Sequence, residues 1–407
     1  MSGNSMSVNL QHVIYRGCKI FLSGRKCIIL HPMESYNLKT DNGCGEVRAV
    51  RFAPQGGVAE YNIMIRTSLR GSFSQQLESI RRSFDEAVGV LGCDGAEVMF
   101  GRWFLSDAVN QVPELPERFC GRRLSAIQQA PLDGSKVALW LWLVEGAERH
   151  GESLIHGAYE HLWFGADGPA GCDSGAQSRC LIEKYVGELA QHGCRLTDDC
   201  IRTWFFVRDV DNNYGGLVRA RREYFDSCGL TSETHYIAST GIEGGNSVQG
   251  SLVTLDAYAV KGLAAGQTTY LHARRMLSRT SDYGVTFERG TAVSYGDRRH
   301  VFISGTASID HRGEVLHVGD VRGQVLRMWA NIEALLAEAG ARMSDIESAI
   351  VYLRDSGDRT LVARMFAERF PELPYVMVLA PVCRPTWLVE MECLAAVDVR
   401  DDRFAAF

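Results

Sequence analysis

The chain has no apolar run approaching membrane-spanning length, no CxxC pair and no HExxH-type cluster among its 11 histidines. These absences argue in turn against a transmembrane helix, a zinc ribbon or dithiol redox motif, and a metalloprotease-type centre. Lysine is scarce too, occurring only at 19, 26, 39, 136, 184 and 261 among 43 basic residues. Nearly all positive charge is therefore arginine, whose planar fork suits bidentate carboxylate binding, although genome composition produces the same bias. A net charge of −6 without a basic stripe offers nucleic acid no footprint. Twelve scattered cysteines without metal-ligand spacing, and no leader-like start, lead us to expect reduced thiols in a cytoplasmic protein that needs neither metal nor cofactor.

What the chain does have is a late strand, Leu388-Val389-Glu390-Met391-Glu392-Cys393-Leu394, that carries two acids inside an apolar run. Alternation by two sends Val389, Met391 and Cys393 to one face and Glu390 and Glu392 to the other. If the second face is covered, two neighbouring carboxylates cannot both ionise cheaply, and one acquires the raised pKa of a group that gives and takes protons. If it is open, the acids are only a solvated strand face.

A search for repeats finds one pattern three times. Gln75 to Val88 has a helical stripe of Leu77, Ile80, Phe84 and Val88, and leads into a strand from Val98 to Asp107. The succession recurs from Cys180 to Asp209 and again from Asn331 to Asp355, and closing strands follow at Val137–Val144, Leu252–Val260 and Leu388–Val397. Small, turn-forming residues at 145–147 and 261–266 divide the chain into units 1–147, 148–262 and 263–407, and Gly165–Gly175 reads as a surface loop. Position for position, Glu390 corresponds to Thr254 in the second closing strand and to Leu139 in the first, so only the third unit keeps the acid. Trp103 and Trp204 are read as sharing one core position. Asp107, Asp209 and Asp355, each ending a strand, are read as caps. The turn Gln128–Gly134 is read as scaffold.

The third unit, with Val301-Phe302-Ile303-Ser304-Gly305-Thr306-Ala307, Gln324 and Ser348 to Asp355, resembles a domain of the Rid family of imine and enamine deaminases. The resemblance implies an α+β fold of three tandem degenerate Rid-like (chorismate mutase-like) α/β units, an intramolecular pseudo-trimer that is a monomer or pairs as a homodimer. Simple Rid deaminases hold a substrate carboxylate with an Arg where this chain has Val376, which argues against an ordinary imine deaminase. From about residue 200 onward the chain is also similar to chorismatases. The matching stretches are Tyr236 to Ile242, Phe287-Glu288-Arg289, Ser304 to Ile309, His317, Gly319-Asp320, Gln324 and Cys383-Arg384 through Glu392. It departs from them in the helix Leu217–Gly229, which lacks one Tyr and one Arg, and at Glu243, which replaces a Gly.

That likeness implies a metal-free hydrolase in specialised metabolism that protonates an enol ether or enamine of a small carboxylate-bearing substrate, chorismate or a relative. A Rid-type deaminase or cyclase of a biosynthetic intermediate is an alternative, and a non-catalytic metabolite-binding protein is another. In a pocket between the second and third units, Glu390 would be the general acid. Arg384 and Arg219 would hold carboxylates, unless they are merely surface arginines. Cys383 would shape the wall. Thr240 and Gly241 would offer a hydroxyl and a bare amide to an anion, or form only a turn. Tyr224 would stack on a ring or pack in the core.

Overall fold

The computed structural model describes residues 32–407 and, before them, the backbone of the strands His12–Ile14, Lys19–Leu22 and Arg25–Ile28. The remainder of the expected first unit's opening 31 residues lies outside the described residues. Three mixed sheets follow one another along the chain, each with its closing strand in the middle. In the first, Val137–Val144 runs antiparallel to both Glu60–Thr67 and Glu97–Leu105, and Ser125–Gln128 adds a parallel edge. Val253–Lys261 has the same place in the second sheet, between Tyr159–Asp167 and Cys200–Val207, with Ala238–Glu243 at the edge. In the third, Val389–Asp398 lies between Arg298–Ala307 and Ile346–Leu353, with Tyr375–Leu379 at the edge. The fold is α+β, built of three tandem units.

Each sheet is covered by helices on one face only, the second by both Ser174–Gln191 and Val210–Cys228. The helix Phe73–Leu91 starts at a capping box of Ser72 and Gln75 and ends at Gly92, whose φ of +65° suits a residue without a Cβ. Its stripe of Leu77, Ile80 and Phe84 packs on Leu139, Leu141 and Leu143. Leu181, Ile182 and Leu189 of the helix Ser174–Gln191 do the same on Leu255, Ala257 and Ala259. The other strand face therefore needs a different cover. Trp140, Trp142, Tyr258, Val260, Phe302 and Leu394 supply it by meeting in one central cluster drawn from all three units. The sheets thus stand back to back about a pseudo-threefold axis with the helices outside. Bridges Gln128–Gly245, Ile242–Val382 and Pro131–Val378 stitch the three junctions in turn. The turn expected to be inert scaffold contributes Gln128 and Pro131 to two of these seams, because it is the point where the first unit touches both others.

The axis carries charge. Glu60, His161 and His300 hold the same register in their units, opposite Val144, Val260 and Ala396. Burial acts to raise the Glu60 pKa, but His300 and Arg298, each 2.8 Å from its Oε1, prevail and hold it at about 2. Trp142 Nε1 donates to the second oxygen.

Register also corrects two sequence assignments. Leu105, Val207 and Leu353 pair with Val137, Val253 and Val389, so Glu390 corresponds to Thr254 as expected but to Ala138, not Leu139. Trp103 faces the helix of its own unit while Trp204 faces the axis, so they do not share a position. A slip of one residue in aligning the units reverses the face, which is why both assignments failed together. Of the loop expected at 165–175, Gly165 to Asp167 are strand and Ser174 onward is helix.

Candidate active site at the junction of the second and third units

Because the even-numbered side chains of the closing strands face the axis, Glu390 and Glu392 are both covered, at 5% and 4% exposure. Their surroundings differ. Glu392 accepts hydrogen bonds from Arg202 Nη2 and Trp204 Nε1, each at 2.8 Å, and from the Thr240 hydroxyl. Thr240 Oγ in turn accepts from Gly305 N at 2.9 Å. These charged and polar partners offset the cost of burying Glu392. Glu390 has no hydrogen-bond partner among the described residues. Burial first, and then the charge of Glu392 two residues along the same face, push its pKa up to about 8 against weaker opposition from Arg202 and Arg289. The carboxyl lies over Gly305, where a Cβ would come within 2.1 Å of Oε1. A bare backbone at that point is what makes room for the acid.

Glu390 forms part of the wall of a cavity of about 260 Å³. The second unit contributes Tyr214, Val218 and Arg221 from the helix Val210–Cys228, with Ser239 and Gly241 from its edge strand. The third unit contributes Tyr283, Phe287, Arg289, Cys383, Arg384 and Trp387. Gly241 is needed bare, since a Cβ there would sit 2.8 Å from the Tyr214 ring. Gln324 fixes the segment before the closing strand, donating to Thr386 O and accepting from Leu388 N, each at 2.8 Å.

Arginine is the informative residue here. Six arginines are buried among the described residues: 102, 122, 202, 221, 289 and 298. Three of them sit against carboxylates, Arg102 on Asp256, Arg202 on Glu392, and Arg298 on Glu60 and Asp297. Arg221 and Arg289 do not. Arg221 donates to Thr286 Oγ1 and Ser239 Oγ and leaves Nη2 unpartnered, whereas Arg289 reaches Ser278 O and leaves Nε unpartnered. Arg384, half-buried, stacks between Tyr283 and Trp387 and has no acid partner either. A buried guanidinium without a counter-charge costs several kcal/mol, and Arg221 and Arg289, with the half-buried Arg384, give the wall of one cavity a positive excess that suits anionic groups.

The structure brings Glu390, Cys383, Arg384 and Gly241 together around this cavity. It does not bring Arg219 or Tyr224 there. Helical phase is the reason: Tyr214, Val218 and Arg221 follow one another by four and three residues on one face, while Arg219 stands two residues away from Arg221 and points to solvent. Tyr224 packs against the second unit's own core. Thr240 is buried behind the cavity and is spent on Glu392. Arg221 was missed as a site residue. The signal that would have found it is its place on the apolar stripe of a helix, where a structural arginine has no reason to be. The Cys383 thiol is pushed up to about 12 by burial and by Glu390, and so stays protonated. Asp107 and Asp355 accept from Asn110 N and Gly357 N as caps, whereas Asp209 makes no backbone cap bond.

Two departures noted in the sequence lose their bearing on this cavity. Glu243 accepts from Asp209 N and Val210 N at the start of the helix that carries Arg221, and does not line the wall. Val376 belongs to the edge strand that faces the first unit. Among the described residues, no group of three or more His, Cys, Asp or Glu could hold a metal ion, and no helix is long and apolar enough to cross a membrane.

Comparison with known proteins is most informative for the third unit. The family described as endoribonuclease L-PSP matches residues 291–397. A RutC family protein of Pyrococcus abyssi is 36% identical over 98 residues, 23% of this chain and 76% of that protein. The 3-aminoacrylate deaminase RutC of Acinetobacter baylyi is 30% identical over 99 residues, 24% of this chain and 79% of its own. The crystal structure of a chorismatase is similar over 83% of this chain and 98% of that chain, with a TM-score of 0.62 at 18% identity, which is a likeness of fold.

Proposed function

The chain belongs to the Rid family, the family of RutC, and from that premise we propose that it is a hydrolase of a small carboxylate-bearing enol ether, chorismate or a relative. The observation that carries this reading is a buried acid with a pKa of about 8 facing a cavity walled by three arginines that have no acid of their own. An acid held protonated at neutral pH suits proton delivery to carbon, and the arginines suit a substrate with more than one carboxylate.

The chemistry balances as general acid–base hydrolysis. The O–H bond of Glu390 breaks as a C–H bond forms at the terminal methylene carbon of the enol ether, and positive charge spreads over the adjoining carbon and oxygen. The Arg202–Glu392 pair holds the floor rigid while this charge develops. Water adds to the oxocarbenium carbon and gives its proton to the Glu390 carboxylate. The hemiketal then breaks its C–O bond, the alcohol leaves with the hemiketal proton, and pyruvate is the other product.

A second reading is favoured by the identity to RutC: the same acid would protonate an enamine carbon, and water would release ammonia. A cavity of about 260 Å³ with three arginines is generous for a three-carbon aminoacrylate and better filled by a ring with two carboxylates. The test is pyruvate release from chorismate, coupled to lactate dehydrogenase, by wild type and Glu390→Gln. Release that disappears in Glu390→Gln supports the first reading. Ammonia release from aminoacrylate in place of pyruvate release supports the second.

A further inference from the structure

The strands Thr268–Leu271 and Gly290–Ser294 pair with each other, yet residues 272–289 join them by a long excursion whose one helical turn is Ser281–Tyr283. Connections of that length with little structure of their own are commonly functional in a compact domain. This one serves two pockets. Tyr283, Phe287 and Arg289 line the cavity of Glu390, whereas Arg274, Ser278, Arg279 and Arg289 line a smaller pocket of about 80 Å³. Arg289 is the residue the two have in common.

The smaller pocket is rich in donors and poor in acceptors. Arg274 and Arg279 are exposed and, like the buried Arg289, pair with no acid among the described residues. Ser278 is buried at 5% exposure and its Oγ has no partner. The carboxylate of the pocket is already committed: Glu288 accepts from Tyr236 N at 2.8 Å through Oε1, and its Oε2 lies 3.2 Å from His272 Nδ1. Thr234 and Thr280 spend their hydroxyls on the carbonyls of Gly229 and Phe287. Three guanidiniums and a seryl hydroxyl therefore share one small space with no protein carboxylate left to answer them.

We propose that this pocket is a regulatory site for a small dianionic oxyanion of the size of inorganic phosphate, and that the bound anion weakens the grip of the neighbouring cavity on carboxylates through Arg289. Size decides the class of ligand. Pockets for drug-sized molecules hold ~300–1,000 Å³. A volume of about 80 Å³ admits an ion but not a ring or a nucleoside. Three arginines favour a dianion over a monocarboxylate. Coupling follows from how Arg289 is held, with Nη2 3.3 Å from Ser278 O and the guanidinium against the rings of Tyr283 and Phe287. A cation fixed between two anions divides its field between them, so each lowers the affinity of the other.

The test uses the full chain and inorganic phosphate, titrated by calorimetry at an ionic strength fixed with sodium chloride. Wild type binds one equivalent. Affinity falls at least about tenfold in the double variant Arg274→Gln/Arg279→Gln, which alters only exposed side chains, and stays within about threefold in Arg221→Gln and Glu390→Gln, which alter the other cavity. Acetate binds at least about tenfold more weakly than phosphate. In pyruvate release from chorismate, saturating phosphate raises KM at least about threefold to a plateau with kcat unchanged, and the double variant shows no such rise. This kinetic readout rests on the proposed reaction, whereas the calorimetry does not. The site is overturned if phosphate binding does not saturate, if it survives in the double variant, or if it is lost in Arg221→Gln, which would assign it to the other cavity. A KM that phosphate leaves unchanged in active wild type overturns the coupling.

Discussion

Replacing Glu392 by Gln separates the two acids of the closing strand. Side chains two residues apart on one strand face are about 7 Å apart, and two unit charges at that distance repel by about 2 kcal/mol at an effective dielectric of about 20. That is about 1.7 pH units in the titration of Glu390. The sign is definite. Glu392 carries negative charge and disfavours the ionised form of Glu390, so its removal lowers the Glu390 pKa, and the freed Arg202 lowers it further. Activity needs protonated Glu390 and is present below its pKa. The alkaline limb of kcat/KM for pyruvate release, expected at about 8 in wild type, should therefore move to about 6 in Glu392→Gln. A substrate-free measurement checks the same point. Difference infrared spectroscopy should show a carboxylic-acid carbonyl band that titrates near 8 in wild type, lower in Glu392→Gln, and is missing in Glu390→Gln. Removing the partner of a buried arginine costs about 3–5 kcal/mol, so both measurements belong at a temperature where circular dichroism shows the variant folded. A limb that stays in place or moves to higher pH refutes the assignment of Glu390 as the acid whose titration Glu392 controls.

Other perturbations test the same frame. Glu390→Gln should stabilise the fold progressively as pH rises. An acid raised from 4.5 to about 8 keeps its proton in the native state longer than in the unfolded one, so wild type loses stability through that window and the Gln variant does not. The gap seen by chemical denaturation should reach about 4–5 kcal/mol above pH 8, and a pH-independent gap would contradict the burial of an ionisable Glu390. Arg221→Gln and Arg289→Gln should each lower kcat/KM for a dianionic substrate by about 10- to 100-fold, chiefly through KM, while Arg219→Ala stays within about twofold. Equal losses at 219 and 221 would show that helical phase does not select the clamp. Gly305→Ala should abolish turnover with the protein still folded, because the added methyl occupies the place of the Glu390 carboxyl, and a fully active variant would mean the acid has another working position.

The fold was legible because the repeat is written in both periods at once, a helical stripe such as Leu77, Ile80 and Phe84 followed by a strand, three times over. Of the proposed site, the strand acids and the segment Cys383-Arg384 were legible because they are local in sequence. Arg289 lay in a stretch quoted for its family likeness, but nothing in the sequence alone said that it faced the same cavity. Arg221 was passed over for Arg219, although the stripe of Leu217 and Phe225, four residues to either side of Arg221, sets the helical phase that separates the two. The alignment of units failed at Leu139 and at Trp204 by a single residue, the smallest error that reverses a face.

With Ala138, Thr254 and Glu390 at the corresponding position, the three junctions carry a methyl, a hydroxyl and a carboxyl there, while the tether one step deeper is kept at two of them, as Asp256 and Glu392, and is replaced by Trp140 at the third. The deeper acid therefore does not depend on the chemistry of its neighbour. It survives where it neutralises a buried arginine, Arg102 or Arg202, and it is lost where Trp140 fills the space and donates to Asn62 instead. An acid at the outer position has no such partner and adds desolvation cost, so the fold does not require it. By this argument Thr254→Glu should destabilise the protein without creating a second active centre, because the floor there is intact but the arginine clamp is not. Turnover that doubles in Thr254→Glu would show that the acid and the floor alone suffice, and that the arginines around Glu390 are incidental to catalysis.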